Sequence, residues 1–268
     1  MNAGGKLIDL SSPKVMGILN ITPDSFYDGG RHHTVPTALA QAEQLLAEGA
    51  DILDLGAYSS RPGATDVSAR EESDRLLPII EAIRSRFPEA ILSIDTFRAK
   101  VARACIAAGA HIINDISGGT LDGEMFATVA DLQVPYILMH MRGTPDTMQR
   151  LTDYSDLVGE ISLFFGKQVA ALRQLGVRDI ILDPGFGFAK TLEQNYELLN
   201  RLETMHVHGL PILGAISRKS MIYRKLGIKP EDALNGTTVL NTVLLLKGVH
   251  ILRVHDVKAA KEAIALLK

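Results

Sequence analysis

The sequence predicts an α/β protein built as a single (β/α)8 TIM barrel over residues 1–268. Eight short apolar runs each end in polar side chains, and most are separated by amphipathic stretches of helical length, such as 99–108 and 192–202. The length of 268 residues also fits, because barrels of this kind typically have about 250. The predicted strands are 15–20, 51–56, 90–95, 111–115, 136–140, 179–183, 212–217 and 251–255.

Two segments outside the regular alternation also have predicted structures. Residues 7–10 form a short apolar strip before the first barrel strand, and we expect them in an N-terminal hairpin that closes the bottom of the barrel. The connection 218–248 is long for one crossover and predicts two helices, near 220–226 and over 231–246. Pro230 marks the break between them, because proline cannot continue a helix.

Two connections are predicted to lie over the carboxyl end of the barrel. Residues 21–36 and 57–68 contain Pro, Asp and Gly and show no periodicity, so they form the long first and second βα loops. Long loops on this face usually act as lids or substrate clamps. Side chains that follow parallel strands gather at the same face, which is where a functional site is expected.

Composition excludes several classes of partner. A net charge of −3 argues against nucleic acid or an anionic membrane as a partner. No run free of charged residues exceeds 14, whereas a membrane helix needs about 20 apolar residues. The first 14 residues lack the apolar core of a signal peptide, so we expect a cytoplasmic protein. The single cysteine, Cys105, lies in an apolar helical pattern and is predicted to be a buried thiol.

The last predicted strand carries a candidate anion site. Arg253 and His255 share one face of the strand, because alternate strand residues point the same way. In a closed barrel the first strand lies beside the eighth, which brings Asn20 to the same place. Its amide oxygen is a suitable ligand for Mg²⁺ bound to phosphate oxygens. The alternative interpretation is an exposed pair at a strand end.

Four further polar residues follow apolar strands and predict a ligand pocket. Asp95, Asn114 and Asp183 can hydrogen-bond a flat heterocycle with adjacent N–H donors, and Lys219 can serve a ring carbonyl oxygen. Buried carboxylates need partners, so the alternative is an internal salt-bridge network. The four residues together favour the ligand.

The segment 183–190, DPGFGFAK, predicts a close approach of backbone to ligand. Its two glycines permit a tight turn, and Phe188 offers a stacking face. It is not a dinucleotide-binding fingerprint, because Lys190 stands where the third glycine would be. Ser217 and Ser220 are expected to donate hydrogen bonds to a ligand carboxylate.

In combination these motifs resemble the bacterial dihydropteroate synthases, pterin-binding TIM-barrel enzymes. The resemblance runs in order along nearly the whole chain. The segments that carry it are MGILNITPDSF (16–26), SSRPGA (59–64), SIDT (93–96), NDISGG (114–119), DPGFGFAK (183–190), SRKS (217–220) and RVHDV (253–257). It implies condensation of 7,8-dihydropterin-6-ylmethyl diphosphate with 4-aminobenzoate, which yields dihydropteroate and pyrophosphate in folate biosynthesis.

The resemblance also implies a role for each candidate residue. Asp95, Asn114, Asp183 and Lys219 would bind the pterin edge, with Met139 and Phe188 against the ring faces. Asn20, Ser60, Arg253 and His255 would take the diphosphate, with Mg²⁺ at Asn20, and Phe26, Arg61, Pro62 and Ser220 would shape the 4-aminobenzoate site. Catalysis would fall to Asn20, Arg61, Lys219, Arg253 and His255 through a dissociative mechanism. A homodimer is also implied, with the apolar stretch 239–246 as a candidate contact.

One position departs from the family pattern and keeps two alternatives open. Members commonly have Gly-Gly-Glu after the second strand, where this chain has Gly56, Ala57 and Tyr58. A non-catalytic pterin-binding paralogue is one alternative, although it should have lost diphosphate residues. A corrinoid-dependent pterin methyltransferase is less favoured, because it would need neither the anion site nor the first-loop motif.

Overall fold

The computed structural model describes residues 1–21, 34–58 and 67–267, and within these ranges it contains ten strands and nine α-helices. The strands are β1 (Asn2–Ala3), β2 (Lys6–Leu7), β3 (Lys14–Asn20), β4 (Ile52–Gly56), β5 (Leu92–Asp95), β6 (Ile112–Asp115), β7 (Tyr136–Met139), β8 (Ile180–Asp183), β9 (Leu213–Gly214) and β10 (Ile251–Val254). The helices are α1 (Thr34–Ala47), α2 (Ala69–Arg86), α3 (Ala99–Ala107), α4 (Met125–Leu132), α5 (Leu157–Gln174), α6 (Leu192–Asn200), α7 (Ser220–Leu226), α8 (Leu234–Leu246) and α9 (Val257–Leu266).

Strands β3 to β10 form the predicted barrel. They pair in parallel in the order β8-β7-β6-β5-β4-β3-β10-β9, and an isolated parallel bridge between Leu182 and Ile212 joins the two ends. Helices lie between successive strands, and their apolar faces pack against the sheet in one large core. The fold predicted from the sequence is confirmed.

The strand with the largest difference from its prediction is β9. It spans Leu213–Gly214 instead of 212–217, because residues 215–217 leave the ladder and lead into Arg218, whose φ is +53°. Helix α7 begins and ends as predicted. The next helix starts as a separate 3-10 turn at Pro230–Asp232, since proline occupies its first position, and α8 follows from Leu234.

Side-chain caps explain where two helices start. The hydroxyl of Ser68 accepts a hydrogen bond from the N–H of Glu71 at the start of α2. Thr191 and Gln194 form a reciprocal capping box at the start of α6. Each cap satisfies N–H groups that have no partner within the helix. The cap of α6 lies directly after the glycine-rich segment 183–190 and so fixes where that segment ends.

The bottom of the barrel is apolar and closed by the predicted hairpin. One buried side chain from most strands fills this layer: Met16, Ile52, Ile112, Ile137, Ile181, Leu213 and Ile251. Strands β1 and β2 pair antiparallel through a turn at Gly4 and Gly5, whose φ angles are +60° and +85°. Ala3 and Ile8 pack beneath the apolar layer. The polar residues predicted for the site follow this layer toward the other end of the barrel.

Two smaller observations concern predictions made from composition. Across the described ranges, the structure has no helix long and apolar enough to span a membrane. Cys105 is fully buried in α3, as predicted, and burial raises the pKa of its thiol to about 12. Most of the predicted first and second loops, at 22–33 and 59–66, lies outside the described residues.

Candidate active site at the carboxyl end of the barrel

A two-residue repeat creates a polar layer above the apolar one. Residues two positions apart on a strand face the same side, so each inward apolar residue of the lower layer is followed by another inward residue nearer the carboxyl end. In five strands that next residue is Asp54, Asn114, Met139, Asp183 or Arg253. Asp95 has the same relation to Ser93, which is fully buried.

Arg253 joins two carboxylates inside this layer. Its Nε lies 2.6 Å from Asp54 Oδ2, and its Nη2 lies 2.7 Å from Asp95 Oδ2. The amide of Asn114 donates to the same Asp54 oxygen at 3.1 Å. Asp54 is fully buried, and its Oδ1 has no hydrogen-bond partner among the described residues. The layer therefore contains a buried acceptor that has no hydrogen-bond partner among the described residues.

Burial and mutual charge shift the pKa values in this network. Burial raises the pKa of Asp95 to about 7, against the influence of Arg253, while Asp54 adds to the rise. Burial also disfavours the charge on Arg253, but Asp54 and Asp95 outweigh it and raise the pKa of the guanidinium above its ordinary value. Arg253 therefore stays protonated and compensates the carboxylates around it.

Asp54 is a site residue that the sequence interpretation missed. It lies in the middle of an apolar strand, whereas the residues predicted for the site follow the ends of strands. A carboxylate two residues after an inward isoleucine was the available signal, because a fully buried carboxylate needs a partner.

Asp183 and Lys219 both contact the glycine-rich turn. Asp183 Oδ1 accepts the N–H of Gly185 at 2.8 Å. Burial raises the pKa of Asp183, and the charge of Lys219 opposes the rise. Burial likewise lowers the pKa of Lys219 to about 8, against the effect of Asp183. This mutual influence places the two groups in the same electrostatic environment, as their predicted shared role requires.

The turn itself contacts Lys219. The Lys219 ammonium donates to the carbonyl of Phe186 and lies 4.8 Å from the centre of the Phe188 ring. Gly187, with φ at +83°, faces the Lys219 side chain. Phe188 also packs in an apolar cluster that includes Met139, so the two residues predicted to cover the ring faces share one wall.

A second buried cation lies beneath the turn and was not predicted as a site residue. Lys190 Nζ is within hydrogen-bond distance of the Gly185 carbonyl at 2.9 Å, the Phe188 carbonyl at 3.0 Å and His140 Nδ1 at 3.2 Å. Burial lowers the pKa of Lys190 to about 7 and that of His140 to about 2. His140 is therefore neutral, and its Nδ1 can accept a hydrogen bond from Lys190.

Arg253 and His255 have different surroundings. Arg253 is turned into the carboxylate network, with 18% of its side chain exposed. His255 follows the end of β10, is exposed, and has its Nδ1 3.0 Å from Ser217 Oγ. Arg253 is therefore part of an internal salt-bridge network, the alternative given above for Asp95, Asn114, Asp183 and Lys219. An anion site shared by Arg253 and His255 remains a prediction.

The remaining candidates divide between described and undescribed positions. Asn20 ends β3 and is half-buried, and Ser220 begins α7 directly after Lys219. Both therefore lie at the predicted face. The predicted residues Phe26, Ser60, Arg61 and Pro62 lie outside the described ranges.

Tyr58, at the position that departs from the family pattern, packs against the loop after β5. Its ring meets Phe97 edge-on, with the centroids 5.1 Å apart, and the Arg98 guanidinium lies 5.2 Å from its centre. Arg98 also pairs with the buried carboxylate of Glu72. Tyr58 therefore replaces a charge with an aromatic contact beside a cation that already has a carboxylate partner.

Comparison with known proteins places this geometry in a family. A family model described as "Pterin binding enzyme" matches residues 16–255. The dihydropteroate synthase of Escherichia coli K12 is 44% identical over 268 residues, which covers 99% of this chain and 94% of that protein.

Solved structures give the same result. A Yersinia pestis dihydropteroate synthase in a sulfonamide drug complex superimposes with a TM-score of 0.93 at 42% identity, covering 100% of this chain and 97% of that one. A Xanthomonas albilineans dihydropteroate synthase in complex with 7,8-dihydropteroate has a TM-score of 0.89 at 37% identity, with 99% and 96% covered.

Proposed function

The chain belongs to the dihydropteroate synthases, pterin-binding transferases of folate biosynthesis that join a dihydropterin diphosphate to 4-aminobenzoate, and we propose how the residues at its barrel mouth carry that reaction. The observation that carries the proposal is the composition of the polar layer. The carboxylates of Asp54, Asp95 and Asp183 supply more hydrogen-bond acceptors than Arg253, Asn114 and the Gly185 N–H use. A ligand rich in N–H donors complements this surplus.

The pterin is the part of the substrate that this layer fits. The Asp183 carboxylate can accept two parallel N–H groups from the aminopyrimidine edge, and Asn114 supplies both a donor and an acceptor. Lys219 would donate to the oxo and N5 side. Met139 and Phe188 belong to the apolar cluster that would cover the flat faces. The Xanthomonas relative was solved with a dihydropteroate, a molecule that contains this ring system.

The diphosphate would lie above the layer, toward Asn20, Ser60 and His255. In Arg253, Nε and Nη2 serve the two carboxylates, so Nη1 is the nitrogen that could reach a phosphate oxygen. We propose a dissociative reaction, in which pyrophosphate leaves before the aniline nitrogen attacks the exocyclic carbon. Arg253 would stabilise the charge that grows on the leaving group. Arg61 and Ser220 would orient 4-aminobenzoate together with Phe26 and Pro62.

Magnesium fits this site only as an ion that binds together with the diphosphate. Within the described residues there is no group of three or more His, Cys, Asp or Glu side chains that could hold a metal ion alone. Asn20 offers a single amide oxygen, and Mg²⁺ commonly takes few protein ligands alongside substrate phosphates and water. When bound, the ion would neutralise charge on the diphosphate oxygens.

A homodimer and a cytoplasmic location complete the proposal. Helices α8 and α9 expose large apolar side chains, with Val239, Leu246 and Leu266 at 53%, 70% and 87% exposure. Burying such a surface against a second copy would stabilise an assembly.

One assay tests the proposed reaction against its alternatives. Pyrophosphate release should require the pterin diphosphate, 4-aminobenzoate and Mg²⁺ together, and Asp183→Asn should abolish it without unfolding the protein. A protein that binds pterin but releases no pyrophosphate would be the non-catalytic paralogue. Methyl transfer from a methylated pterin to a corrinoid, with no pyrophosphate released, would identify the methyltransferase.

A further inference from the structure

Lys190 is a buried lysine whose three N–H bonds match three acceptors. The residue is 4% exposed, and its Nζ contacts the carbonyls of Gly185 and Phe188 and the ring of His140. A charged amine is costly to bury unless its donors are all used. An apolar side chain would fill the same space without that cost, so the amine itself has a function here.

The two carbonyls bound by Lys190 are the ends of one turn. Gly185 has φ at +71°, and a Cβ added there would lie 2.0 Å from the His140 carbonyl oxygen, so the turn sits directly on β7. Ala189 has φ at +49°, a left-handed conformation that is unfavourable for alanine and persists only where surrounding contacts hold it. Tyr154 contributes from the outside, because its hydroxyl donates to the Ala189 carbonyl at 3.0 Å.

The same turn surrounds Lys219. It supplies the carbonyl of Phe186, the ring face of Phe188 and the space beside Gly187, where an added Cβ would lie 3.3 Å from Lys219 Cδ. A displacement of the turn would move all three contacts together. The position of the Lys219 ammonium therefore depends on the position of this turn.

We propose that Lys190 is a positioning residue, which fixes the turn 185–188 so that the turn holds Lys219 in place beside Asp183 for the pterin. The inference rests on the proposed role of Lys219 in pterin binding. Lys190 itself does not touch the ligand in this arrangement. The neutral state of His140, set by burial, keeps the third acceptor available.

A double-mutant cycle tests this dependence. Calorimetry measures the Kd of a pterin that lacks the diphosphate for Lys190→Met, Lys219→Met and the double variant. We expect each single variant to raise Kd at least tenfold, and the double variant to match Lys219→Met within threefold. The KM for 4-aminobenzoate should change less than twofold in Lys190→Met. A merely structural role would lower Tm and the folded fraction but would leave the affinity of the folded protein unchanged.

Lys247→Met provides the matched control. Lys247 is also largely covered, with 18% of its side chain exposed, and its Nζ donates to the Asn200 carbonyl and to Glu203, outside the barrel mouth. Its removal should leave pterin affinity within twofold of wild type.

Three results would overturn the inference. They are an unchanged Kd in Lys190→Met, independent effects that multiply in the double variant, and an equal loss of affinity in the Lys247→Met control. An unchanged Kd in Lys219→Met would remove the proposed role of Lys219 first, and this inference with it. If Lys190→Met does not fold, Lys190→Arg is the variant that tests the inference. Its planar guanidinium keeps the positive charge but cannot place one nitrogen within hydrogen-bond distance of all three acceptors. It should raise Kd at least threefold, and an unchanged value would overturn the inference.

Discussion

Arg253 and Asp54 lie 199 positions apart in the chain, and their Nε and Oδ2 atoms are 2.6 Å apart inside the barrel. The pair joins the last strand to the second barrel strand across the first, so it links residues that only barrel closure brings together. Arg253 therefore has two functions in this structure. It pairs with the carboxylates of Asp54 and Asp95, and in the proposed reaction its Nη1 would bind the diphosphate.

Removal of Arg253 should destabilise the fold as well as the site. Arg253→Met leaves the buried Asp54 and Asp95 without their cation, and loss of one partner from a buried ion pair costs about 3–5 kcal/mol. Urea unfolding measures the free energy of unfolding directly. As a control, Arg86→Met breaks an ion pair with Glu43 in which both side chains are 55% exposed. The control should cost less than about 1 kcal/mol, and an equal loss in both variants would contradict the prediction.

Asp183 should be the main anchor of the pterin. Asp183→Asn retains the shape but presents an N–H₂ group to ring N–H donors, so we expect a loss of about 2–4 kcal/mol in binding free energy. Calorimetry with pterin and circular dichroism for folding provide the measurement. Asp179→Asn, just before the start of the same strand, is the matched control, because the Asp179 carboxylate accepts the N–H of Asn2 at the far end of the barrel. Pterin affinity in Asp183→Asn within a factor of a few of wild type would reject the assignment.

The turn should not tolerate a methyl group at its first glycine. Gly185→Ala combines a φ of +71° with a Cβ 2.0 Å from the backbone oxygen of His140, so β7 or the turn must move. We expect a loss of more than about 2 kcal/mol in stability and a clear loss of pterin affinity. Gly176→Ala separates the two causes, because φ is +84° there and no atom lies within 4 Å of the added Cβ. Similar losses in both variants would show that backbone strain alone matters.

Stability should fall as the pH drops from 6.5 toward 4, partly because of His111. Burial lowers the pKa of His111 to about 4, and its Nδ1 accepts the N–H of Leu92 at 3.1 Å. The unfolded chain binds this proton at a higher pH than the folded chain, so protonation favours unfolding by at most about 1.4 kcal/mol per pH unit. His111→Asn, which does not titrate, should flatten the dependence of the unfolding free energy on pH in this window. An unchanged slope would assign the effect to other groups.

Binding of 4-aminobenzoate should require a phosphate ligand. The sequence predicts that Phe26 and Pro62, from the first and second βα loops, complete its site only after a diphosphate has bound near Asn20 and Arg253. Calorimetry of 4-aminobenzoate with and without pyrophosphate and Mg²⁺ measures this dependence. Tight stoichiometric binding to the protein alone would mean that the site is already formed.

The barrel was predictable because the spacing of apolar residues and the lengths of the segments can be read locally from the sequence. Eight apolar runs at regular spacing, Pro230 at a helix break and an apolar strip before the first strand each have a direct structural counterpart. The length of β9 was not predictable, because residues 215–217 are apolar enough to extend a strand but leave the ladder to reach Arg218. The strand therefore ends because of the path that the chain takes at the barrel mouth, and not because of its local sequence.

The site was predicted less completely than the fold, because pairings depend on distances across the barrel. Asp95, Asn114 and Asp183 could be identified as residues at strand ends. For Asp54 the spacing of two from Ile52 was a local signal, but its pairing with Arg253 was not. Lys190 and His140 could not be identified, since nothing in a local pattern shows that a lysine is buried under a turn. Which charged side chains on different strands form ion pairs is determined only when the strands have assembled into the sheet.

The isolated bridge between Leu182 and Ile212 pairs one position, whereas β9 and β10 pair at two and the other neighbouring barrel strands at three to five. Asp183 directly follows one side of that bridge, and Lys219 lies beyond the other side. A pterin bound by both Asp183 and Lys219 would connect the two strands at the place where the fewest backbone positions pair. Ligand binding would then slow the hydrogen–deuterium exchange of the Leu182 amide, which bonds the Pro211 carbonyl at 2.9 Å at this bridge. Occupation of the pocket would then stabilise the barrel where its two terminal strands meet.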